Sequence, residues 1–327
     1  METRKIQSIG GSSFSLVLPK KWVEGQHLKD KDEVAIDEQK SGRLVLTPMA
    51  KKVFHRKKVS IAALEGEELY REVIVLYILG LEEVELTAQP ISRQQKLVIR
   101  GVMQKLAGME IIEESSTSVL LRNFLDPKKF SFAEYLSKIF LMSRLMFTDS
   151  INAFLRHNKD LALDVIERDF EVDKITFLIS RMKHSLMLGS VSEEELDAGL
   201  VEADYYDNIA KQLERIADHA VKIAGLARAA AMPKNAKMEK VLQTGSDRII
   251  YFLEEAERFA KAVDKKTANK VLLEISKSSP HTEPAYAEIA KIGHGPGLIL
   301  SDSLDRISGY IVNMAEHTLA QAALKVD

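Results

Sequence analysis

From residue 130 to residue 325 the chain repeats apolar residues three and four apart, the spacing of helices that bury one face. The runs fall near 131–157, 160–187, 193–230, 236–262, 264–277 and 298–324. Breakers stand between them: HNKD, LGSVS, MPKN, SSPHTEP and GHGPG, the last read as a helix break. Six such helices on short connections bury their stripes together as a bundle. No run reaches the roughly 18 apolar residues of a membrane span, so no membrane insertion is expected. METRKIQSIGG lacks the apolar core of a signal peptide, and a cytoplasmic protein is expected.

The bundle contains an internal echo. LERIADHAVKIAG (213–225) aligns without gaps to LDRISGYIVNMAE (304–316), with Glu214 replaced by Asp305 and Asp218 by Gly309. A signature recurring near the end of each set of three helices points to duplication, with repeats at about 130–230 and 235–325.

Two acid pairs stand out. Glu214 and Asp218 are four apart, one above the other on a helix, at the flank of a stripe made by Leu213, Ile216, Ala217, Ala220 and Ile223. Asp207 and Lys211 share that flank, so on this helix alone the pair also reads as an ordinary solvated face. Asp169 and Asp173 repeat the spacing on a helix with Val165 and Val172 to one side and Ile166, Phe170 and Phe177 to the other. Carboxylates there need a cation, a basic partner, protonation or a cleft, because unpaired buried charge costs several kcal/mol. Facing helices could gather all four acids into a site for a hard cation. The chain has no cysteine, which excludes thiolate sites. His219 lies a quarter turn further from the stripe and reads as a surface histidine. No Glu-x-x-His pair accompanies the acids, and a catalytic role is not expected.

Residues 1–48 pattern differently. SFSLVLP alternates, with Phe14, Leu16 and Leu18 on one face; DEVAID and GRLVLTP follow as two further strands. Gly10 and Gly11 make a turn, and Pro19 opens a short helix through Trp22, read as a core residue. Residues 1–58 hold 13 Lys and Arg against 7 Asp and Glu, whereas the whole chain has a net charge of −2. A basic head on an acidic body suits contact with a polyanion. Arg4, Ser12, Ser13, Lys20 and Lys21 are the candidate DNA contacts, with Lys51, Lys52, Arg56, Lys57 and Lys58 at the exit of the head. Paired lysines could equally serve to keep strand ends soluble.

Residues 58–125 read as β-α-β-α-β-β: VSIAALEG a strand, 67–79 a helix, EEVELTA a strand, 92–106 a helix, then MEIIEES and SVLLRNF as a hairpin over SST. This small α/β module shows no catalytic motif. A linker, a dimerisation element and a small-ligand sensor all remain open for it.

The head resembles the AbrB/SpoVT family of swapped-hairpin DNA-binding domains, through RKIQSIGGSSFSLVLPKKWVE, DEVAID and SGRLVLTP. That family usually places Gly-Asp before the third strand. This chain has Lys31-Asp32 and must turn without glycine. The resemblance implies a homodimer with interleaved hairpins. The phrase LERI-x-DHA-x-x-I resembles the PhoU family of phosphate-uptake regulators, built from two three-helix repeats. The combination is similar to archaeal-type PhoU regulators. It implies metal held by Asp169, Asp173, Glu214 and Asp218 (iron, zinc, magnesium or manganese). Gly309 makes a second site in the later repeat doubtful.

The expectation is a multidomain α+β chain. It has a swapped-hairpin β head (1–50), an α/β module (58–125) and a six-helix bundle of two three-helix repeats (130–327). Its expected role is regulation of phosphate uptake by binding DNA, with metal sensing or docking in the bundle. The alternative is an adaptor that docks on a phosphate transporter or signalling protein and uses its head to dimerise.

Overall fold

The computed structural model describes residues 3–38, 42–48, 56–229, 235–277 and 284–324; for Asp37, 284–288 and 290–294 it describes the backbone alone. Lys51 and Lys52 therefore lie outside the described residues. The chain divides into two compact units, Met1–Phe54 and His55–Asp327.

In the first unit, β1 (Gln7–Ile9) and β2 (Ser13–Ser15) form an antiparallel hairpin, Gln7 opposite Ser15. Gly10 and Gly11 make the reversal at φ 61° and 79°, a region open to glycine at little cost. α1 (Lys20–Gly25) follows Pro19, and β3 (Val34–Glu38) pairs with β4 (Leu44–Pro48) as a second hairpin. The alternation in SFSLVLP does not bury a face in the single chain. Phe14 is 71% and Leu16 50% exposed, and Trp22 is only half-buried. Among the described residues of this unit only Pro48 is buried. Forty-odd residues in two separate hairpins enclose too little volume for a core of their own.

The turn before β3 keeps a left-handed residue without glycine. Lys31 sits at φ 73°. Asp32 secures the loop from both sides: its N–H donates to the Lys29 carbonyl (3.1 Å), and its carboxylate accepts from the Lys29 N–H (2.7 Å).

The second unit begins with a four-stranded sheet: β5 (Arg56–Ser60), β6 (Glu83–Thr87), β7 (Met109–Glu114) and β8 (Ser118–Asn123), in the order β5-β6-β8-β7. β5 runs parallel to β6 and the other pairs are antiparallel. α2 (Gly66–Ile78) and α3 (Arg93–Met103) provide the crossovers, and Leu69, Val73, Tyr77, Leu86, Ile99 and Val102 are buried together with the sheet. The expected strand VSIAALEG is shifted. Pairing starts at Arg56 because Arg56 and Lys58 reach Glu85 on β6 (3.2 and 3.0 Å), and it ends at Ser60 ahead of the turn into α2.

The bundle comprises α4 (Phe132–Arg156), α5 (Lys159–Leu188), the single turn α6 (Glu193–Leu196), α7 (Leu200–Arg228), α8 (Ala236–Ala262), α9 (Lys265–Ser276) and α10 (Pro284–Leu324). Two expectations change. The run 193–230 breaks at Asp197 (φ 49°) and restarts from Gly199. GHGPG does not end a helix, because α10 continues through Pro296. A proline inside a helix costs about 3 kcal/mol. Ile289, Leu300 and Leu304 are all fully buried on either side of it, at about 1.5–3 kcal/mol each, which is enough to hold the helix together.

The two halves of the echo lie on α7 and α10. Tyr205 hydrogen-bonds Thr318 (2.9 Å), Gln212 meets Asn313 (3.1 Å) and the His219 ring lies 5.8 Å from that of Tyr310. As one number rises the other falls, so the helices cross antiparallel. In the gapless alignment His219 and Tyr310 are equivalent positions, as an approximate twofold axis through their contact requires.

The sheet module docks on α5. Arg181, almost fully buried, donates to the carbonyls of Tyr77 (2.7 Å) and Leu81 (2.9 Å), its guanidinium 4.9 Å from the centroid of the Tyr77 ring. Gly80 lets the chains close: a Cβ there would stand 2.9 Å from Ser185 Oγ.

Replacing Lys31 by Gly removes the left-handed penalty of a side chain. We expect Lys31→Gly to stabilise the head by about 0.5–1 kcal/mol. In urea unfolding of the intact protein, an unchanged or lowered midpoint for the head transition would show that the turn carries no such strain.

Candidate functional site

α5 and α7 pack along their length and bring the four expected acids into one electrostatic neighbourhood. Asp169 and Asp173 come from α5, Glu214 and Asp218 from α7. Val165 and Val172 beside the α5 pair are fully buried, while Ile166, Phe170 and Phe177 are half-buried. Burial, then the charges of Asp173 and Asp218, push the Asp169 carboxyl up to about 6. Burial, then Asp218, Asp173 and Asp169, push Glu214 to about 7. Asp218, at the exposed edge, is raised by its packed surroundings and by Asp173.

The cluster is short of positive charge. Asp169 Oδ1 is buried with no hydrogen-bond partner. Lys105, in the turn after α3, enters from the sheet module and binds Asp173 Oδ2 at 2.7 Å. Burial disfavours its ammonium, but hydrogen bonds to Asp173 and Tyr70 more than offset this and raise its pKa. Among the described residues, no three His, Asp or Glu side chains stand in an arrangement ready to hold an ion. The donor chemistry nevertheless fits a hard cation: four carboxylates, one orphaned oxygen and mutual repulsion that a dication would relieve.

Two neighbours of the acids differ from expectation. His219 is 4% exposed, not on the surface, and burial followed by Lys222 lowers its pKa to about 4. α7 buries a second side against α10, which the single stripe did not reveal. Asp207 is not on a solvated flank but fully buried, held by Lys183, by Lys211 (2.8 Å) and by Ser180 (2.5 Å). In the second repeat, Asp302, Asp305, Arg306, Gly309 and Tyr310 line a groove of about 870 Å³ between α9 and α10. A Cβ on Gly309 would meet nothing within 4 Å.

The head presents its candidate contacts at two ends of the β1–β2 hairpin. Arg4, Lys20 and Lys21 are exposed at its open end, with Lys20 3.7 Å from Glu24. Ser12 and Ser13 are exposed at the turn, where Ser13 Oγ donates to the Ile9 carbonyl (3.1 Å). The three-residue strands separate the two ends by about 7–10 Å at 3.4 Å per residue. Arg56 and Lys58 are engaged by Glu85 within the sheet module.

Lys105 and Arg181 escaped the sequence reading. Neither has a local motif, and their partners lie 68 and about 100 positions away.

Residues 136–227 match the family model for the PhoU domain. That stretch is similar to PhoU domains. Its matched span includes α5, α7 and all four acids. Residues 7–54 match the family described as antidote-toxin recognition MazE, bacterial antitoxin, over the stretch that resembles AbrB/SpoVT heads. Among solved structures the chain is similar to the crystal structure of PhoU from Pseudomonas aeruginosa. That similarity has 18% identity and a TM-score of 0.48, covering 58% of this chain and 95% of that one. No curated protein matches. Among the described residues no helix is long and apolar enough to cross a membrane.

The raised Glu214 has a consequence for the metal-free helical body. Its folded pKa, about 7, lies above its ordinary 4.5. Its charge therefore penalises the folded state fully above pH 7, and the penalty fades as pH falls towards 4.5. Metal-free Glu214→Gln should melt above wild type at pH 8, with the advantage gone near pH 4.5; His219 titrates in both proteins and cancels from the comparison. An advantage independent of pH in calorimetry would contradict this.

Proposed function

We propose that the chain is a homodimeric, DNA-binding regulator of the archaeal PhoU type, acting in the cytoplasm on phosphate uptake, whose helical body binds a hard cation. The observation that carries the reading is the union, in one chain, of a basic MazE-type head and a PhoU domain that gathers four incompletely neutralised carboxylates.

Dimerisation through the head is supported by its lack of a core. Ile9, Phe14, Val17, Ile36 and Leu44 are each more than half exposed, and a second copy supplies the missing packing. DNA contact is supported by Arg4, Ser12, Ser13, Lys20 and Lys21. Two interleaved copies would present both hairpin ends along one backbone-contacting face.

In the body, Asp169, Asp173, Glu214 and Asp218 would hold magnesium, manganese or iron through oxygen; zinc suits the set less, since His219 is buried against Tyr310. The cation would supply charge neutralisation and a link between α5 and α7. Coupling follows if cation binding changes the placement of the two heads and so their affinity for DNA.

Two measurements test the reading. Binding of the intact protein to a random duplex should fall by about a thousandfold or more between roughly 50 and 200 mM salt, and Lys20→Ala with Lys21→Ala should lower that slope. Absence of binding even at low salt would favour the adaptor that docks on a transporter or signalling protein. Purified protein should carry metal by elemental analysis and lose it in Glu214→Ala plus Asp218→Ala. Equal metal content in both would remove the site.

A further inference from the structure

The sheet module reaches into the acid cluster with one side chain. Lys105 follows α3 in a turn anchored from both sides. Its own N–H donates to the Val102 carbonyl (2.9 Å), and the next residue, Leu106, is buried in the module core. Its Nζ sits 2.7 Å from Asp173 Oδ2, 5.8 Å from the centroid of the Tyr70 ring and 5.9 Å from that of Phe170. The ammonium is thus held between α2, α5 and the turn after α3. It neutralises Asp173 and leaves Asp169 Oδ1 without a partner.

We infer that Lys105 is a tethered counter-ion of the carboxylate site: a dication that recruits Asp173 displaces it, and so releases this edge of the sheet module from the bundle. The inference rests on the cation reading of the four acids and names how that site is regulated. A dication on the Asp173 carboxylate and an ammonium 2.7 Å from the same group repel each other strongly in a partly buried setting, which favours departure of the ammonium. The module does not undock when Lys105 leaves. Arg181 pins it eight residues further along α5, about 12 Å at 1.5 Å per residue, through the Tyr77 and Leu81 carbonyls. One fixed contact and one releasable contact on the same helix let occupancy at the bundle be read out in the module that connects it to the head.

The test uses full-length protein and manganese(II). In calorimetric titration, Lys105→Gln should bind manganese about five- to tenfold more tightly than wild type, the worth of one half-buried ion pair. Lys105→Arg, which keeps the charge, should stay within about twofold of wild type. In hydrogen exchange, manganese should speed the amides of residues 103–108 in wild type, whereas Lys105→Gln should exchange fast there with or without metal. If wild type binds manganese and Lys105→Gln binds it equally or more weakly, the counter-ion role is wrong and the site stands. If manganese binds but residues 103–108 do not respond, the release of the module is wrong. If no variant binds manganese, both the site and the inference fall.

Discussion

The burial of α5 against α7 governs the chemistry of this molecule. Two helices that pack along their length exclude most water from their seam, so a charge buried there finds a partner in the protein or shifts its protonation. Three groups on these strips meet that demand in different ways. Asp207 is fully buried and takes two lysines and a serine hydroxyl, a complete set for one carboxylate. Arg181 has no acid partner and spends its donors on backbone carbonyls at the end of α2, which ties the sheet module to the bundle. Asp169 is left incomplete: one oxygen is orphaned, the neighbours repel, and the carboxyl is pushed up to about 6. Arg181 Nε and His219 Nδ1 on the same helices also lack a partner, so it is the mutual repulsion of the four carboxylates that sets the cluster apart.

How much of this was visible in the sequence follows from the range of each interaction. Helix runs and their caps are local, so the bundle could be read from apolar spacing, and Asn158, Asn235 and Asp264 do cap α5, α8 and α9. The echo placed its two halves on α7 and α10. The acid pair on α5 stood out because a helix apolar on both sides cannot leave charge exposed. What stayed hidden depends on a second surface. His219 looked solvated because a stripe records one buried face, and α7 has two. Asp207 looked solvated because its partner Lys183 comes from another helix. The run through GHGPG read as a break because proline is judged by its local cost, while the helix is held by the distant core around Ile289 and Leu300. Lys105 was invisible for the same reason: nothing near it in sequence indicates that its target is on α5.

The two repeats share an axis but not an acid cluster. Where α7 carries Asp218, α10 carries Gly309, and where the first repeat has the 30-residue α5, the second has the 12-residue α9. α9 carries one acid, Glu274, and α10 keeps Asp305 but has Gly309 in place of the second, so the second repeat does not reproduce the four-acid cluster. What replaces it is an open groove bordered by Asp302, Asp305 and Arg306. Duplication fixes the crossing geometry at His219 and Tyr310, because each repeat needs the other to bury that side of its last helix. It places no comparable demand on the solvent-facing strip, which is free to diverge.

The head stands at the other extreme of the same argument. The body has enough chain to bury its own apolar surface and a surplus of acid within it. The head is basic, has almost nothing buried and displays Phe14 and Ile36 to solvent. A unit without a core takes its stability from whatever covers it, so its folded population depends on pairing and on any polyanion that binds the paired form. On the proposed reading, a signal that alters how two bodies hold their heads acts on folding and DNA affinity together. On that same reading, cation binding need change only the relative population of paired heads, by a free energy comparable to one ion pair, to be felt at the DNA.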